Sequence, residues 1–501
     1  MSSPQVIIFG GATNEEEAKK GLVHLKCTWK WYPTDENVFR LLAADHYDVL
    51  VSVGKQDGSF KTLLKLPLET RKKWLHFETL SDVSESSMMY CMMANVLVPN
   101  VPFVSVFTTS FKSKHRIRRP LESLLAQTYT SWEWVIIDDT DDDNDENWKQ
   151  LQEFAASDYR IRAYKPQKHC GVIGSLKRDA AMLCRGTLLV EMDHDDDIDP
   201  LTFQYLREAH AKYPEAGMFF TDFAEVMEDT DANWAYGEFF GMGYGAYTKQ
   251  WYQGKWRNQC HTPALNCKTI RHIVGVPNHL RVWSSKAYHE MGGHSTGLHV
   301  VDDYELILRT FLKYQMVRIP KLCYIQYRNA GGNNFTFIRN ADIQRLVASV
   351  RGVYEDKIHA RLLELGHVDE GIAKIERAWM NGKEQEQRVD VVYSTCETSI
   401  VMILDPSDGA DAIYATTQSV LFQSEKNFEF IVIGYRHPCM EATLSSFRDE
   451  RLKWWNLASA ESQSRESAQS YAYKMIAIGK KVVNISAGQV WPLYFLKSLA
   501  K

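Results

Sequence analysis

The sequence predicts an α/β fold, in which a central domain follows a small N-terminal α/β domain and precedes a degenerate C-terminal α/β half. Three observations predict this organisation. Short apolar runs alternate with segments of helical periodicity, two of these runs end in acidic residues, and a pattern of the central domain recurs near the C terminus. We place the four segments at 1–98, 99–340, 341–385 and 386–501.

The N-terminal segment opens with an apolar run, Val6–Phe9, which predicts a strand and is followed by Gly10-Gly11. A second apolar run lies at 47–54, and the alternation of such runs with polar segments predicts a small α/β domain. Glycines after a strand suit either a tight turn or a loop that holds a phosphate at a helix N-terminus. A lone glycine pair favours the turn.

Three apolar runs of the central segment predict strands at 103–109, 134–137 and 187–192. The second run ends in Asp138-Asp139 and the third in the acidic stretch Asp193–Asp197. In open α/β sheets, ligands bind at the carboxyl ends of the strands, where the strand order reverses. The sequence therefore predicts a ligand site that both groups of carboxylates share.

The stretch Asp193–Asp197 has three interpretations. An EF-hand loop requires Gly at its sixth position and Glu at its twelfth, but these positions hold Ile198 and Gln204. A solvated acidic turn would not explain why the acids directly follow an apolar strand. The third interpretation is a metal–diphosphate site, because carboxylate oxygens suit Mg²⁺ or Mn²⁺ and the cation neutralises a leaving diphosphate.

Several motifs occur in a fixed order over residues 101–340. They are Thr108-Thr109, Ser123–Tyr129, Trp132–Asp139, Gly174–Asp179, Met192–Asp196, Met291–His294, Val301–Leu306 and Tyr327–Asn329. In this order and spacing, the region resembles an inverting family 2 glycosyltransferase with the GT-A fold. The chain departs from the family pattern at Thr108–Phe111, where the family often has Asn-aromatic-Asn or Pro-Thr-Tyr-Asn. It also has Asp179 in place of the usual Asn, and Asp302-Asp303 in place of the usual Glu-Asp pair.

The resemblance implies transfer of a sugar from a nucleotide-diphospho-sugar donor to a hydroxyl of a glycan or glycoconjugate acceptor, with Mn²⁺ or Mg²⁺ as cofactor. It implies Asp193 and Asp195 of the DXD motif as metal ligands, and Asp303, with Asp302 beside it, as the general base. The implied donor-binding residues are Thr109, Asp138, Asp139, Lys177, Arg178 and Asp193.

Two further stretches carry candidate residues. The aromatic and glycine-rich stretch 234–256 is either an acceptor lid or an irregular core insert; Trp251 and Trp256 are its candidate acceptor contacts, and we add His294. Before the next predicted strand, Arg281 suits a bidentate phosphate contact. His279 is either a metal or diphosphate contact or a structural, hydrogen-bonded histidine.

The last segment repeats part of the central one. Ser419–Gln423 and Phe428–Ile433 match 123–127 and 132–137 with the same internal spacing. The carboxylates do not recur, because the matching positions hold Gly434-Tyr435 and Ser486–Gly488. We therefore expect a GT-A-like half without metal-binding acids. Helical spacing of apolar residues predicts that the intervening segment 341–385 is a helical linker.

Composition excludes several classes of protein. A net charge of −5 provides no basic field for a nucleic acid, and no apolar run approaches the length of a membrane span. No signal peptide is recognised, and the nine cysteines form no Cys-x-x-Cys pair, which favours a reducing, cytoplasmic compartment. A metal-dependent glycosyltransferase of glycan biosynthesis is the favoured function. The alternatives are a nucleotidyltransferase and a non-catalytic sugar- or nucleotide-binding protein.

Overall fold

The computed structural model divides the chain into two compact units, Met1–Pro102 and Phe103–Lys501. The residues that it describes are 5–33, 47–55, 63, 71, 73–97, 102–141, 146–237, 240–263, 265–329, 338–367, 369, 391–392, 396–458 and 464–499. Among these residues, no helix combines the length and the apolarity that a membrane span requires.

The N-terminal unit is built on a four-stranded parallel sheet with the order β2-β1-β3-β4. Its elements are β1 (Gln5–Gly10), α1 (Glu15–Gly21), β2 (Thr28–Tyr32), β3 (Val49–Val53), β4 (Trp74–Phe77) and α2 (Glu85–Leu97). Gly10 and Gly11 both have positive φ, and a Cβ on Gly11 would lie 2.6 Å from Val53. The close packing and three glutamates in the first turn of α1 fit a structural turn.

The second unit opens with four parallel strands in the order β8-β5-β6-β7. The elements of this part are β5 (Val104–Ser110), α3 (Arg118–Leu125), β6 (Trp132–Asp138), α4 (Glu146–Ser157), β7 (Ile161–Tyr164), α5 (Ile173–Met182) and β8 (Leu188–Glu191). The strands consist largely of buried apolar residues, as expected of a parallel sheet that is covered on both faces. The strand order reverses between β5 and β8.

The sheet continues beyond β8 through strands that are mostly antiparallel. The next elements are β9 (Asp197–Ile198), α6 (Thr202–Lys212), β10 (Met218–Met227), β11 (Asn233–Trp234), β12 (Ala246–Tyr252), β13 (Lys255–His261), β14 (Arg281–Ser284), α7 (Ser285–Glu290), α8 (Asp302–Lys313), β15 (Met316–Arg328), α9 (Asn340–Glu364) and β16 (Val391–Val392). Strand β14 lies antiparallel between β8 and β10, and β15 runs parallel to β10. This arrangement brings the chain that precedes β14, and the carboxyl-terminal part of β15, to the edge where β8 ends.

The C-terminal part has the strand order β20-β17-β18-β19, all parallel, which is the order of β8-β5-β6-β7. Its elements are β17 (Thr398–Ile403), α10 (Ala410–Leu421), β18 (Phe428–Tyr435), α11 (Met440–Leu444), β19 (Leu452–Leu457), α12 (Arg465–Tyr471), a π-helical turn (Ala472–Ile476), β20 (Lys481–Ile485) and α13 (Phe495–Leu499). Strand β19 pairs antiparallel with β12, so the two parts share one sheet.

Equivalent side chains make equivalent hydrogen bonds in the two parallel parts. Gln127 Nε2 donates to a carbonyl four residues back at 3.1 Å and to that of Asp199 at 2.7 Å. Gln423 Nε2 does the same, with distances of 3.1 Å and 2.8 Å, the latter to Pro492. The repeat that the sequence predicts is therefore present in the fold.

The segment boundaries of the structure differ in part from those that the sequence suggests. The boundary between the compact units follows Pro102, a few residues beyond the predicted one, and the segments 99–340 and 386–501 lie in one unit. In the predicted linker 341–385, α9 covers the part up to Glu364. Residues 370–390 lie outside the described part of the chain. The division into four segments stays a prediction.

Candidate functional site

A cluster of three possible metal ligands lies at the reversal of strand order. Asp193 and Asp196 follow β8, and His279 precedes β14; one ligand atom of each lies within 4.8 Å of the others. Antiparallel pairing explains the meeting, because Glu191 of β8 lies opposite Arg281 of β14. Asp193 follows Glu191 by two residues and His279 precedes Arg281 by two residues, so these two side chains come side by side.

The cluster differs from the predicted ligand pair, Asp193 and Asp195. Asp196 and His279 accompany Asp193 in it, and the side chain of Asp195 does not belong to it. The backbone carbonyl of Asp195 instead accepts a hydrogen bond from Arg119 Nη1.

Tyrosines of β15 orient this cluster. The carboxylate of Asp196 accepts hydrogen bonds from the Tyr324 hydroxyl at 2.7 Å and the Tyr327 amide at 2.8 Å. The His279 ring stacks on that of Tyr324, with centroids 4.4 Å apart and planes 8° from parallel. Among the described residues, no group hydrogen-bonds the buried Nδ1 of His279. The imidazole is therefore held in place with one nitrogen unused.

The electrostatics of the cluster suit a cation. Burial, together with the charge of Arg281, lowers the pKa of His279 well below its ordinary value, so its imidazole is neutral and able to act as a ligand. Burial and neighbouring carboxylates raise the pKa values of Asp193 and Asp196. Two carboxylates and a neutral imidazole form a donor set that suits Mn²⁺.

A buried ion-pair network lies beside the cluster and centres on Glu191, the last residue of β8. Lys177 Nζ donates to its Oε1 at 2.7 Å, and the guanidinium of Arg281 donates to both of its oxygens at 3.0 and 3.1 Å. Burial would raise the pKa of Glu191, but the charges of Arg281 and Lys177 outweigh it and hold the pKa well below its ordinary value. Two cations that the sequence suggests as donor contacts thus bind a carboxylate of the protein.

The two acids at the start of α8 have different surroundings. Asp302 is 3% exposed, and its Oδ2 lies 3.6 Å from Lys177 Nζ and has no hydrogen-bond partner among the described residues. Burial raises the pKa of Asp302. The side chain of Asp303 is 24% exposed, and its Oδ2 accepts a hydrogen bond from Arg281 Nη1 at 2.8 Å. Of the two carboxylates, that of Asp303 is the more accessible.

The carboxylates that follow β6 organise the adjoining loops. Asp138 Oδ1 accepts from the Thr140 hydroxyl at 2.6 Å and from Asn147 Nδ2 at 2.7 Å, and burial raises the pKa of Asp138. Asp139 accepts from the amides of Cys170 and Gly171 at 2.7 and 2.9 Å. Asp138 and Asp139, which the sequence predicts as donor contacts, therefore accept hydrogen bonds from protein groups next to the candidate site.

The two remaining predicted donor-binding residues have few side-chain contacts. Thr109 lies near the end of β5, and its carbonyl faces His194 Nδ1 at 3.3 Å. Arg178 is half-buried on α5 and has no ion-pair partner in the part of the chain that the structure describes.

Of the predicted acceptor residues, His294 lies beside the ion-pair network, with its Nε2 3.6 Å from Glu191 Oε2, whereas the two tryptophans pack against the C-terminal part. His294 is buried and its Nδ1 lies 2.8 Å from the Tyr288 hydroxyl. Trp256 Nε1 donates to the Ser445 carbonyl at 3.1 Å, and its ring lies edge-on to that of Trp454. The ring of Trp251 packs edge-on against that of Trp256. Both indoles thus belong to the packing between the β12–β13 hairpin and the C-terminal part, and their acceptor role stays a prediction.

Sequence reasoning assigned no site role to three residues, Glu191, Tyr324 and Tyr327, although Tyr327 belongs to one of the motifs. Glu191 is the one charged residue of strand β8, and this interruption of an apolar strand was an available signal. Tyr324 and Tyr327 lie on β15, more than a hundred residues from Asp196, and no local pattern connects them with it.

The region that matches known proteins by family model includes Asp193 and Asp196 of the cluster and ends before His279. Residues 105–273 match the family model described as Glycosyl transferase family 2. The chain is 27% identical over 247 residues to a chondroitin synthase of Escherichia coli, which is 49% of this chain and 31% of that protein.

A second E. coli relative is UDP-Glc:alpha-D-GlcNAc-diphosphoundecaprenol beta-1,3-glucosyltransferase WfgD, which is 33% identical over 93 residues, or 19% of this chain and 35% of that protein. The chain therefore covers about a third of the length of these two relatives. Among solved structures, S. aureus TarS 1-349 in complex with UDP-GlcNAc gives a TM-score of 0.38 at 14% identity, over 56% of this chain and 79% of that one.

Proposed function

We propose that the chain, whose residues 105–273 match the Glycosyl transferase family 2 model, transfers a sugar from a UDP-sugar to a hydroxyl of a glycan or glycoconjugate, with a divalent metal and with inversion. The name of the relative WfgD specifies a UDP-linked glucose donor, which supports the choice of UDP. The other relative, a chondroitin synthase, supports a glycan product.

The observation that carries the proposal is the cluster of Asp193, Asp196 and His279 at the reversal of strand order. These three side chains would hold Mn²⁺ or Mg²⁺. The cation would stabilise the negative charge of the departing diphosphate. Arg178 supports the same assignment. Of the three predicted donor-binding cations, Lys177 and Arg281 pair with Glu191, whereas Arg178 has no carboxylate partner among the described residues.

Asp303 is the general base of the proposed transfer. The acceptor oxygen bonds to the anomeric carbon, the bond from that carbon to the diphosphate oxygen breaks, and the acceptor proton passes to the Asp303 carboxylate. The partial exposure of Asp303 favours it over the buried Asp302. Its ion pair with Arg281 gives the carboxylate a defined direction.

The C-terminal part has a different proposed role. At the positions equivalent to Asp138-Asp139 and to the acids after β8, it has Gly434-Tyr435 and Ser486–Gly488. Without carboxylates it has no equivalent means of holding a cation and a diphosphate. We therefore propose that residues 386–501 bind no nucleotide-sugar and act by packing or docking.

A product assay tests the proposed function. The full chain is incubated with UDP-, GDP- and dTDP-sugars in Mn²⁺ or in EDTA, and released nucleoside diphosphate and pyrophosphate are quantified. We expect UDP from a UDP-sugar in Mn²⁺ only, and at least about 100-fold less from Asp193→Ala. Asp229→Ala, at an exposed acid after β10, serves as the matched control. Pyrophosphate would instead indicate nucleotidyl transfer, and release of neither product would contradict the proposal.

A further inference from the structure

We infer that Glu191 is a positioning residue for the proposed transfer: it fixes the guanidinium of Arg281, and Arg281 in turn fixes the carboxylate of Asp303. This inference rests on the proposed function, in which Asp303 accepts the acceptor proton. Glu191 itself is 2% exposed at the end of β8, so it acts through Arg281 and does not reach a substrate.

The contacts of Arg281 divide between the two carboxylates. Its Nε and Nη2 donate to the two oxygens of Glu191 at 3.1 and 3.0 Å, which is a fork-to-fork contact that sets the plane of the guanidinium. The remaining nitrogen, Nη1, donates to Asp303 Oδ2 at 2.8 Å. A planar guanidinium that is held along one edge presents the opposite edge in a defined direction.

The backbone fixes the geometry further. Glu191 and Arg281 lie opposite each other in the antiparallel pairing of β8 and β14, so neither residue depends on a loop for its place. On its other side, Asp303 Oδ1 accepts from the Tyr304 amide at 2.7 Å, within the first turn of α8. The Asp303 carboxylate is therefore held at one oxygen by a helix and at the other by the Glu191–Arg281 pair.

A purely structural role for Glu191 predicts a loss of stability without a specific loss of turnover. The chain offers a matched control in Glu429 of β18, which is also buried and binds Lys453 Nζ at 3.0 Å, away from any residue that we assign to the transfer. Glu429→Gln removes a buried carboxylate from an ion pair, as Glu191→Gln does. The pair of variants separates stability from positioning.

The test uses the full chain and the UDP-sugar from which the wild type releases UDP in Mn²⁺. Single-turnover UDP release and UDP affinity are measured for Glu191→Gln, Asp303→Asn, the double variant and Glu429→Gln. We expect Glu191→Gln to lower the rate about 10- to 100-fold with UDP affinity within about threefold, and Glu429→Gln to leave both within about twofold. The double variant should lose little beyond Asp303→Asn, because both changes act on one group.

Other outcomes overturn the inference. Losses that multiply in the double variant would show that Glu191 acts independently of Asp303. A large loss of UDP affinity at an unchanged rate would assign Glu191 to the donor. If Glu191→Gln does not fold, Glu191→Asp replaces it: a rate about 10- to 100-fold below that of the wild type, with normal UDP affinity, supports positioning, and a wild-type rate refutes it. A wild type that releases no UDP would contradict the proposed function, and this inference would fall with it.

Discussion

Replacing Arg318 with methionine should lower the free energy of unfolding of the unit Phe103–Lys501 by about 3–5 kcal/mol at pH 7. Arg318, on β15, donates to Asp222 of β10 through Nε at 2.9 Å and through Nη2 at 2.6 and 2.8 Å, and each side chain is at most 2% exposed. The pair fixes β15 to β10, and β15 carries the tyrosines that orient Asp196. Removing the guanidinium leaves a buried carboxylate without its counter-charge.

The pH dependence of this loss follows from the pKa of Asp222. Burial would raise this pKa, but the charge of Arg318 and a hydrogen bond from His261 outweigh it and lower the pKa from 3.8 to about 2. Because the folded value is the lower one, the stabilisation is present above about pH 4 and is lost as the pH falls through about 2. The difference corresponds to about 2 kcal/mol. In Arg318→Met, uncompensated burial raises the folded pKa, so the penalty is largest at pH 7 and shrinks on acidification.

Urea unfolding followed by tryptophan fluorescence at pH 7 and pH 5 measures both effects. Arg345→Met is the matched control, because the Arg345–Asp342 pair is 70% and 59% exposed and should contribute less than about 1 kcal/mol. A loss in Arg318→Met no larger than that of the control would refute the reasoning. So would a loss of the same size at both pH values.

Two further predictions concern the base and the repeat. Asp303→Asn should lower single-turnover UDP release about 10²–10⁴-fold with little change in UDP affinity; an active Asp303→Asn beside an inactive Asp302→Asn would exchange their roles. Gln423→Ala should destabilise the C-terminal part by about 1–3 kcal/mol, because it leaves buried backbone groups without partners. A thermal midpoint no lower than that of Gln418→Ala, at an exposed residue of α10, would contradict the latter prediction.

The sequence was sufficient to predict the fold class and the family 2 resemblance of the central region. The α/β architecture, the repeat and the family 2 resemblance are confirmed, because each depends on patterns within short stretches. Two examples of such local patterns are the apolar run that forms β6 and the equivalent glutamines Gln127 and Gln423 of the repeated motif. Periodicity and spacing are local properties, so the sequence alone contains them completely.

The composition of the candidate metal site depended on tertiary pairing. Asp193 was predicted from its place after a strand, but His279 comes beside it through the pairing of β8 with β14. The sequence left open whether His279 was a ligand or a structural residue, and the orphaned Nδ1 beside Asp193 favours the ligand. Nothing local distinguishes Asp195 from Asp196, since their different environments come from β15.

The same limit applies to the cations and the tryptophans. Lys177 and Arg281 have the charge that a diphosphate requires, but the sequence does not show that both face Glu191. Trp251 and Trp256 have rings that suit a sugar, but the pairing of β12 with β19 places them against the C-terminal part. A residue type indicates what a side chain is able to bind, and the fold decides which partner it meets.

Calorimetric titration of UDP into the full chain is the most direct test of the central claim, that Asp193, Asp196 and His279 hold a metal that binds the donor diphosphate. We predict that UDP binds in Mn²⁺ and at least about tenfold more weakly in EDTA. Asp193→Asn and His279→Ala should weaken UDP binding in Mn²⁺ to a similar degree, whereas His289→Ala, at an exposed histidine of α7, should leave it unchanged. Equal UDP affinity in Mn²⁺ and EDTA, or wild-type affinity in both site variants, would contradict the claim.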